Sequence, residues 1–146
     1  MPVDVTVTTE IDRPRSEVAA YCCDPDNDTS WYVNIKEVRW LSDKPAVVGT
    51  KVARAAEFLG KRIEYTYVIE ELVPGERIVM SAVDSPFPMT TTYTWADAGD
   101  GRTRMVLRNQ GEPKGFFGRL TGPLMSMQMK AATTKDLARL KALLEG

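Results

Sequence analysis

PLMSMQMKAATTKDLARLKALLEG, residues 123–146, holds no Pro or Gly between its first and last positions. It is dominated by Leu, Met, Ala, Lys, Gln and Arg, which lose little rotamer freedom in a helix. Pro123 suits a first turn, where a missing N–H costs nothing, and Gly146 suits a stop. At a rise of about 1.5 Å per residue, such a helix is roughly 30 Å long and crosses a small domain. Its apolar stripe changes character along its length. Leu137, Leu140 and Leu144, with Ala138, form an aliphatic seam, whereas Met125, Met127 and Met129 are the apolar side chains one and two turns earlier. Adaptable thioethers at one end suit a ligand pocket, and they equally suit the filling of an irregular core.

The 146 residues are expected to form one domain spanning 1–146, with 43% hydrophobic and 27% charged residues, a globular composition large enough to bury a core. A net charge of −1 argues against a nucleic-acid partner, which calls for a basic face. No apolar run approaches the roughly 20 residues that span a bilayer, and no apolar signal segment opens the chain. A cytoplasmic protein without integral membrane association is therefore expected, with monomer and homodimer both open. Cys22 and Cys23 are adjacent and can bridge only through a strained vicinal disulfide, so they read as small buried hydrophobes. The chain has no histidine, which excludes a Cys–His or Ser–His–Asp set and leaves zinc without its usual ligands. No metal and no tightly bound redox cofactor is expected.

Ahead of the helix, the pattern is one strand, two short helices and six strands. Val3 to Ile11 alternates, with Val3, Val5, Val7 and Ile11 on one face and Asp4, Thr6, Thr8 and Glu10 on the other. Pro14, Ser16 and Glu17 open a short helix carrying Val18, Ala19 and Tyr21. Asp24-Pro25-Asp26-Asn27-Asp28 is turn chemistry, and a second short helix or irregular turn runs to Trp31-Tyr32. Strands follow at Ile35 to Leu41, Lys51 to Phe58, Arg62 to Val73, Arg77 to Val83, Met89 to Ala96 and Thr103 to Gln110. The connections are short and rich in Gly and Pro, which permits antiparallel neighbours and excludes helical crossovers. Each strand has one polar and one apolar face, as a sheet covered on one side requires. The cover is the last helix. A strongly curved seven-stranded sheet cannot contact that helix evenly along both edges, so a cavity is expected between them.

Several segments resemble the helix-grip fold of the START/Bet v 1-like superfamily, specifically its polyketide cyclase/dehydrase and lipid-transport group. They are VTVTTEIDRPRSEVAAY (5–21), DPDN (24–27), ELVPGERIVM (71–80), TRMVLRN (103–109) and DLARLKALLE (136–145), and the likeness runs over essentially the whole chain. The resemblance implies an α+β fold and an apolar cavity used for a hydrophobic small molecule such as a lipid, polyketide or aromatic. By the alternation of the strands, the sheet would contribute Trp40, Arg54, Phe58, Tyr65, Tyr67 and Met80 to its wall. Met89, Tyr93, Trp95 and Asn109 would add to these, with Met125 and Met129 from the helix. Trp31 and Phe87 fall in connections that would rim an entrance.

The inward polar residues decide between carrier and enzyme. Arg54 shares a face with Val52, Ala56 and Phe58, and a guanidinium there needs a carboxylate or an acidic ligand group. Ala53 and Ala55 are apolar too, so the opposite facing, or a bulge or rim position, would leave Arg54 wet. Asn109 suits either a ligand contact or a backbone cap. Tyr65, Tyr67 and Tyr93 offer phenols that polarise a carbonyl or donate a proton, or simply reach water. No paired carboxylates fall on the inner face, since Glu57, Glu64 and Glu70 lie on the polar one. Arg102, Arg104 and Arg108 read as a solvated face. Phe116 and Phe117, between Gly115 and Gly118, suit either a mobile gate or an anchoring turn. Three roles stand: small-molecule carrier; cyclase, dehydratase or hydrolase using Arg54, Asn109 and a tyrosine; and interaction protein with a collapsed cavity.

Overall fold

A computed structural model describes residues 3–82, 84–85, 87–112 and 122–146. Strand β1 (Val3–Ile11) leads into helix α1 (Arg15–Cys22), a 3₁₀ turn (Pro25–Asn27) and helix α2 (Asp28–Trp31). Six strands follow: β2 (Ile35–Trp40), β3 (Lys51–Phe58), β4 (Lys61–Val73), β5 (Arg77–Ala82), β6 (Met89–Asp97) and β7 (Thr103–Gly111). Helix α3 (Gly122–Glu145) ends the chain. All seven strands form one antiparallel sheet in the order β1-β7-β6-β5-β4-β3-β2. The fold is the expected α+β helix-grip arrangement. Phe116 and Phe117, read as either a gate or an anchoring turn, and the predicted strand end at Val83 lie outside the described residues, and Leu41 lies beyond β2, half exposed.

Local chemistry sets the boundaries. Pro14, extended and with no N–H to lose, precedes α1, where a helix tolerates proline. The Asp24 side chain accepts the N–H of Asp26 at 3.0 Å and so shapes the 3₁₀ turn that Pro25 opens. Leu59 and Gly60 join β3 to β4 with φ of 53° and 76°, the left-handed pair of a two-residue hairpin. Register shifts between Ile35 and Glu37 and between Ile69 and Glu71 mark bulges, which add local bend to the sheet.

Along α3 the buried side chains are Met125, Met129, Thr133, Asp136, Leu137 and Leu140, a stripe at helical spacing. Two residues expected on it are elsewhere. Ala138 is exposed, and Met127 is 60% exposed, because each sits about half a turn out of phase with its buried neighbours. The larger core gathers Val18, Trp31, Tyr93, Trp95, Met105 and Leu107 under Leu137 and Leu140. Burying a leucine of this kind contributes about 1.5–3 kcal/mol. A second cluster joins Val3, Val5, Ile63 and Phe87 to Met125 and Met129. The cavity lies beside this second cluster, where α3 carries its methionines.

Candidate functional site

A cavity of about 120 Å³ opens between the sheet and α3. Phe58, Ile63, Phe87, Met89 and Met129 form most of its apolar wall, and the link after α2 adds Tyr32 and Asn34. On one side the helix presents Ala132, Thr133 and Asp136. Deeper in the sheet an adjoining recess of about 50 Å³ is lined by Arg54, Tyr67, Met80 and Thr91. Tyr32, Tyr65, Met89 and Asn109 line both spaces. The arrangement is a greasy chamber with a polar inner end.

Arg54 faces inward and is 6% exposed. Alternation puts it on the face of Val52, and the alanines at 53 and 55 face outward beside Arg39 and Glu64. Its partner is Asp28, whose Oδ2 accepts from Nη2 at 2.6 Å and from Nε at 3.0 Å. Both bonds leave Nη1 outside the pair. The guanidinium carbon lies 4.3 Å from the ring centroid of Tyr67 and 5.1 Å from that of Tyr32, a cation held between two π faces. Desolvation opposes the Arg54 charge, but Asp28 and the surrounding tyrosine oxygens hold its pKa well above the ordinary value. Burial pushes the Asp28 carboxyl up, and the Arg54 charge pulls against that rise.

The remaining polar groups are tied to one another. The Tyr32 and Tyr93 hydroxyls share a hydrogen bond, and burial keeps both phenols protonated well above their usual range. Thr91 Oγ1 donates to Asn109 Oδ1 at 2.7 Å, and Asn109 Nδ2 donates to Thr133 Oγ1 at 3.5 Å. Asp136 Oδ1 accepts the Val33 N–H at 2.8 Å, which fastens the link after α2 to the long helix. Burial lifts the Asp136 carboxyl to about 6, against the pull of that N–H and of the Arg139 and Arg54 charges. A carboxyl poised there in a cavity is able to hold or release a proton near neutral pH.

This shift has a measurable consequence. The folded pKa of Asp136 lies above its ordinary value of 3.8, so the folded chain binds more protons between about pH 4 and 6. Stability contributed by this group is present below that window and lost as pH rises through it, by up to about 3 kcal/mol. Asp136→Asn keeps an acceptor for Val33 and removes the charge. At pH 8 it should be more stable than the parent by about 1–2 kcal/mol, with the gap closing at about pH 4.5. Urea unfolding at the two pH values checks this, and a gap that ignores pH would rule it out.

Of the residues expected at the cavity, Phe58, Tyr65, Phe87, Met89, Asn109 and Met129 line the chamber, and Arg54, Tyr67 and Met80 line the recess. Five are placed elsewhere. Trp31, read as a rim residue, is wholly buried in the larger core, its ring against Tyr32 and Tyr93. Trp95 packs in the same core, and Met125 belongs to the second cluster. Tyr93 sits behind Tyr32 as its hydrogen-bond partner. Trp40, at the end of an edge strand, turns to the surface, where Nε1 donates to Asp26 Oδ1 at 2.8 Å and Lys44 lies over its ring. Tyr32, Thr91 and Asp136 line the space and Asp28 holds Arg54 from behind, and the sequence reading places none of the four there. The turn-rich context of Asp28 hides it, but Asp136 falls on the buried stripe of α3 at about 3.6-residue spacing, a legible signal.

A curved antiparallel sheet gripping a long helix, with two short helices inserted after the first strand and a cavity beneath, defines a helix-grip protein. The chain belongs to the family described as polyketide cyclase / dehydrase and lipid transport, whose model matches residues 2–145. Among curated proteins, none matches the sequence significantly. Solved structures match over nearly the full length at low identity. TTHA0849 from Thermus thermophilus is 18% identical with a TM-score of 0.82, covering 95% of this chain and 94% of its own. The Zhui aromatase/cyclase from Streptomyces sp. R1128 is 16% identical with a TM-score of 0.78, covering 97% and 93%. A START superfamily protein from Mycobacterium smegmatis is 16% identical with a TM-score of 0.77, covering 98% and 94%. At these identities the likeness is one of fold. Among the described residues no helix is long and apolar enough to cross a membrane.

Proposed function

We propose that this protein binds a hydrophobic small molecule in the cavity between sheet and α3. The apolar body of the ligand rests against Phe58, Ile63, Phe87 and Met129, and an oxygen atom points toward the Arg54 recess. One observation carries the reading: an apolar chamber runs into a recess where Arg54 Nη1 lies outside the Asp28 pair. Buried donors of this kind orient a ligand in an otherwise apolar site. A cytoplasmic carrier, monomeric or homodimeric, fits this role. Ala132 is half-buried and lines the chamber, so Ala132→Phe should fill it. The expected result is at least about a hundredfold loss of ligand affinity, with a stability change of no more than about 1–3 kcal/mol. Native mass spectrometry and thermal unfolding read the two quantities separately. Unchanged affinity would place the ligand elsewhere.

Asp136 favours a second reading, catalysis. A carboxyl at about 6 facing the same cavity as Arg54 supplies a proton-transfer group opposite a carbonyl-polarising one. In a dehydration, Asp136 would take the proton from the carbon next to a carbonyl held by Arg54 or Tyr65. It would then return that proton to the departing hydroxyl, releasing water. Turnover of a β-hydroxy ketone by the parent chain that Asp136→Asn abolishes while binding is kept supports the enzyme, and binding without turnover in both proteins supports the carrier.

A further inference from the structure

We infer that the cavity takes a neutral, single-ring aromatic molecule bearing a carbonyl or phenol oxygen, and rejects fused-ring molecules and long acyl chains. This rests on the binding reading above and narrows it. Size is the first consideration. The chamber holds about 120 Å³ and the recess about 50 Å³. A dry cavity of about 150 Å³ holds one benzene ring, whereas drug-sized ligands occupy about 300–1,000 Å³.

The walls do not readily yield more room. Ile63, Phe87 and Met129 are each more than nine-tenths buried and pack in one cluster with Val3, Val5 and Met125. Phe58 and Phe87 meet edge to face, with ring centroids 6.5 Å apart. A second fused ring has to push one of these side chains into a packed neighbour, and packed interiors resist added volume. A long acyl chain finds only the same chamber of about 120 Å³ to bury itself in.

Charge is the second consideration. Among the described residues, the ionisable side chains lining chamber and recess are Arg54, Asp136 and the phenols of Tyr32, Tyr65 and Tyr67. The Arg54 charge is already matched by Asp28 at 2.6 Å. No further cation faces the space among the described residues, so a carboxylate ligand would lose its hydration without gaining a counter-charge. A neutral oxygen accepts from Arg54 Nη1 or the Tyr65 hydroxyl without that penalty. A ring hydroxyl at the other end has Asp136 as an acceptor.

The test is titration of the full chain, with isotope-labelled methionine methyls observed by NMR. The four probes are para-hydroxyacetophenone, its naphthalene analogue, para-hydroxybenzoate and palmitate. The single-ring ketone should shift the Met89 and Met129 methyls and leave the exposed Met127 methyl unmoved. The other three should bind at least about tenfold more weakly. Met129→Ala, which widens the chamber, should bring the naphthalene analogue to parity with the single-ring ketone. If the naphthalene analogue or palmitate binds as tightly to the parent chain through the same methyls, the size inference is overturned and the binding reading survives. Tighter binding of para-hydroxybenzoate than of the ketone overturns the charge inference alone. A complete set of unshifted cavity methyls overturns the binding reading itself.

Discussion

Truncating Asp28 to alanine is expected to destabilise the protein by about 3–5 kcal/mol, the range for a buried ion pair that loses one partner. The residual Arg54 charge would be stranded at 6% exposure between two tyrosine rings, with desolvation uncompensated. Arg54→Met leaves the converse problem, a buried carboxylate that must take up a proton, and should cost a similar amount at neutral pH. The double variant Asp28→Leu, Arg54→Met removes both charges and should be less destabilised than either single variant. Urea unfolding of the parent, Asp28→Leu, Arg54→Met and the double variant closes the cycle. Single variants that each cost under about 1 kcal/mol would mean water already screens the pair. The double variant also bears on function, because it restores a neutral interior while deleting the recess donor. It should fold and bind ligand poorly.

Trp31→Ala is expected to cost about 3–5 kcal/mol, as for other large core aromatics. The indole is 0% exposed and packs on Tyr32 at 4.2 Å and edge-on to Tyr93 at 5.7 Å between ring centroids. A tryptophan at the rim of an entrance would tolerate truncation with a change near about 0.5 kcal/mol. Thermal or urea unfolding therefore separates the two placements by a wide margin. Because Tyr32 is also part of the cavity wall, the variant should loosen the chamber as well as the core.

Much of the architecture was legible from period and punctuation. Strands such as Val3–Ile11 and Thr103–Gly111 alternate between a wet and an apolar face, and turns along the sheet carry Gly or Pro where a tight reversal needs them. The long helix was legible because nothing inside it breaks a helix. Side-chain direction was harder wherever both faces of an element look alike. Ala53 and Ala55 are as apolar as Ala56, so nothing local told which way Arg54 points; its direction depends on Asp28, 26 positions away. Trp31 lies in a turn-rich stretch with no period, so its burial is decided by tertiary packing. Trp40 obeys the strand alternation, but its edge strand ends there and lets the ring turn outward onto Asp26. Asp136 is hard to read for the opposite reason. Its spacing from Met129 and Thr133 puts it on the buried stripe, yet its charge suggested the wet side of the helix.

The order of strands in the sheet also says something about how the protein is made. Every neighbouring pair but one is consecutive along the chain, so β2 to β7 can assemble hairpin by hairpin as they leave the ribosome. The exception is β1, whose partner is β7; Asp4 and Arg108, joined across that seam, are 104 positions apart. Closing so long a loop is slow compared with forming a hairpin. The first strand synthesised is therefore the last to be paired, and it waits with its backbone exposed until nearly the whole sheet exists. Asp4 and Glu10 on its outer face charge that waiting strand, which discourages it from pairing with a strand of another nascent chain.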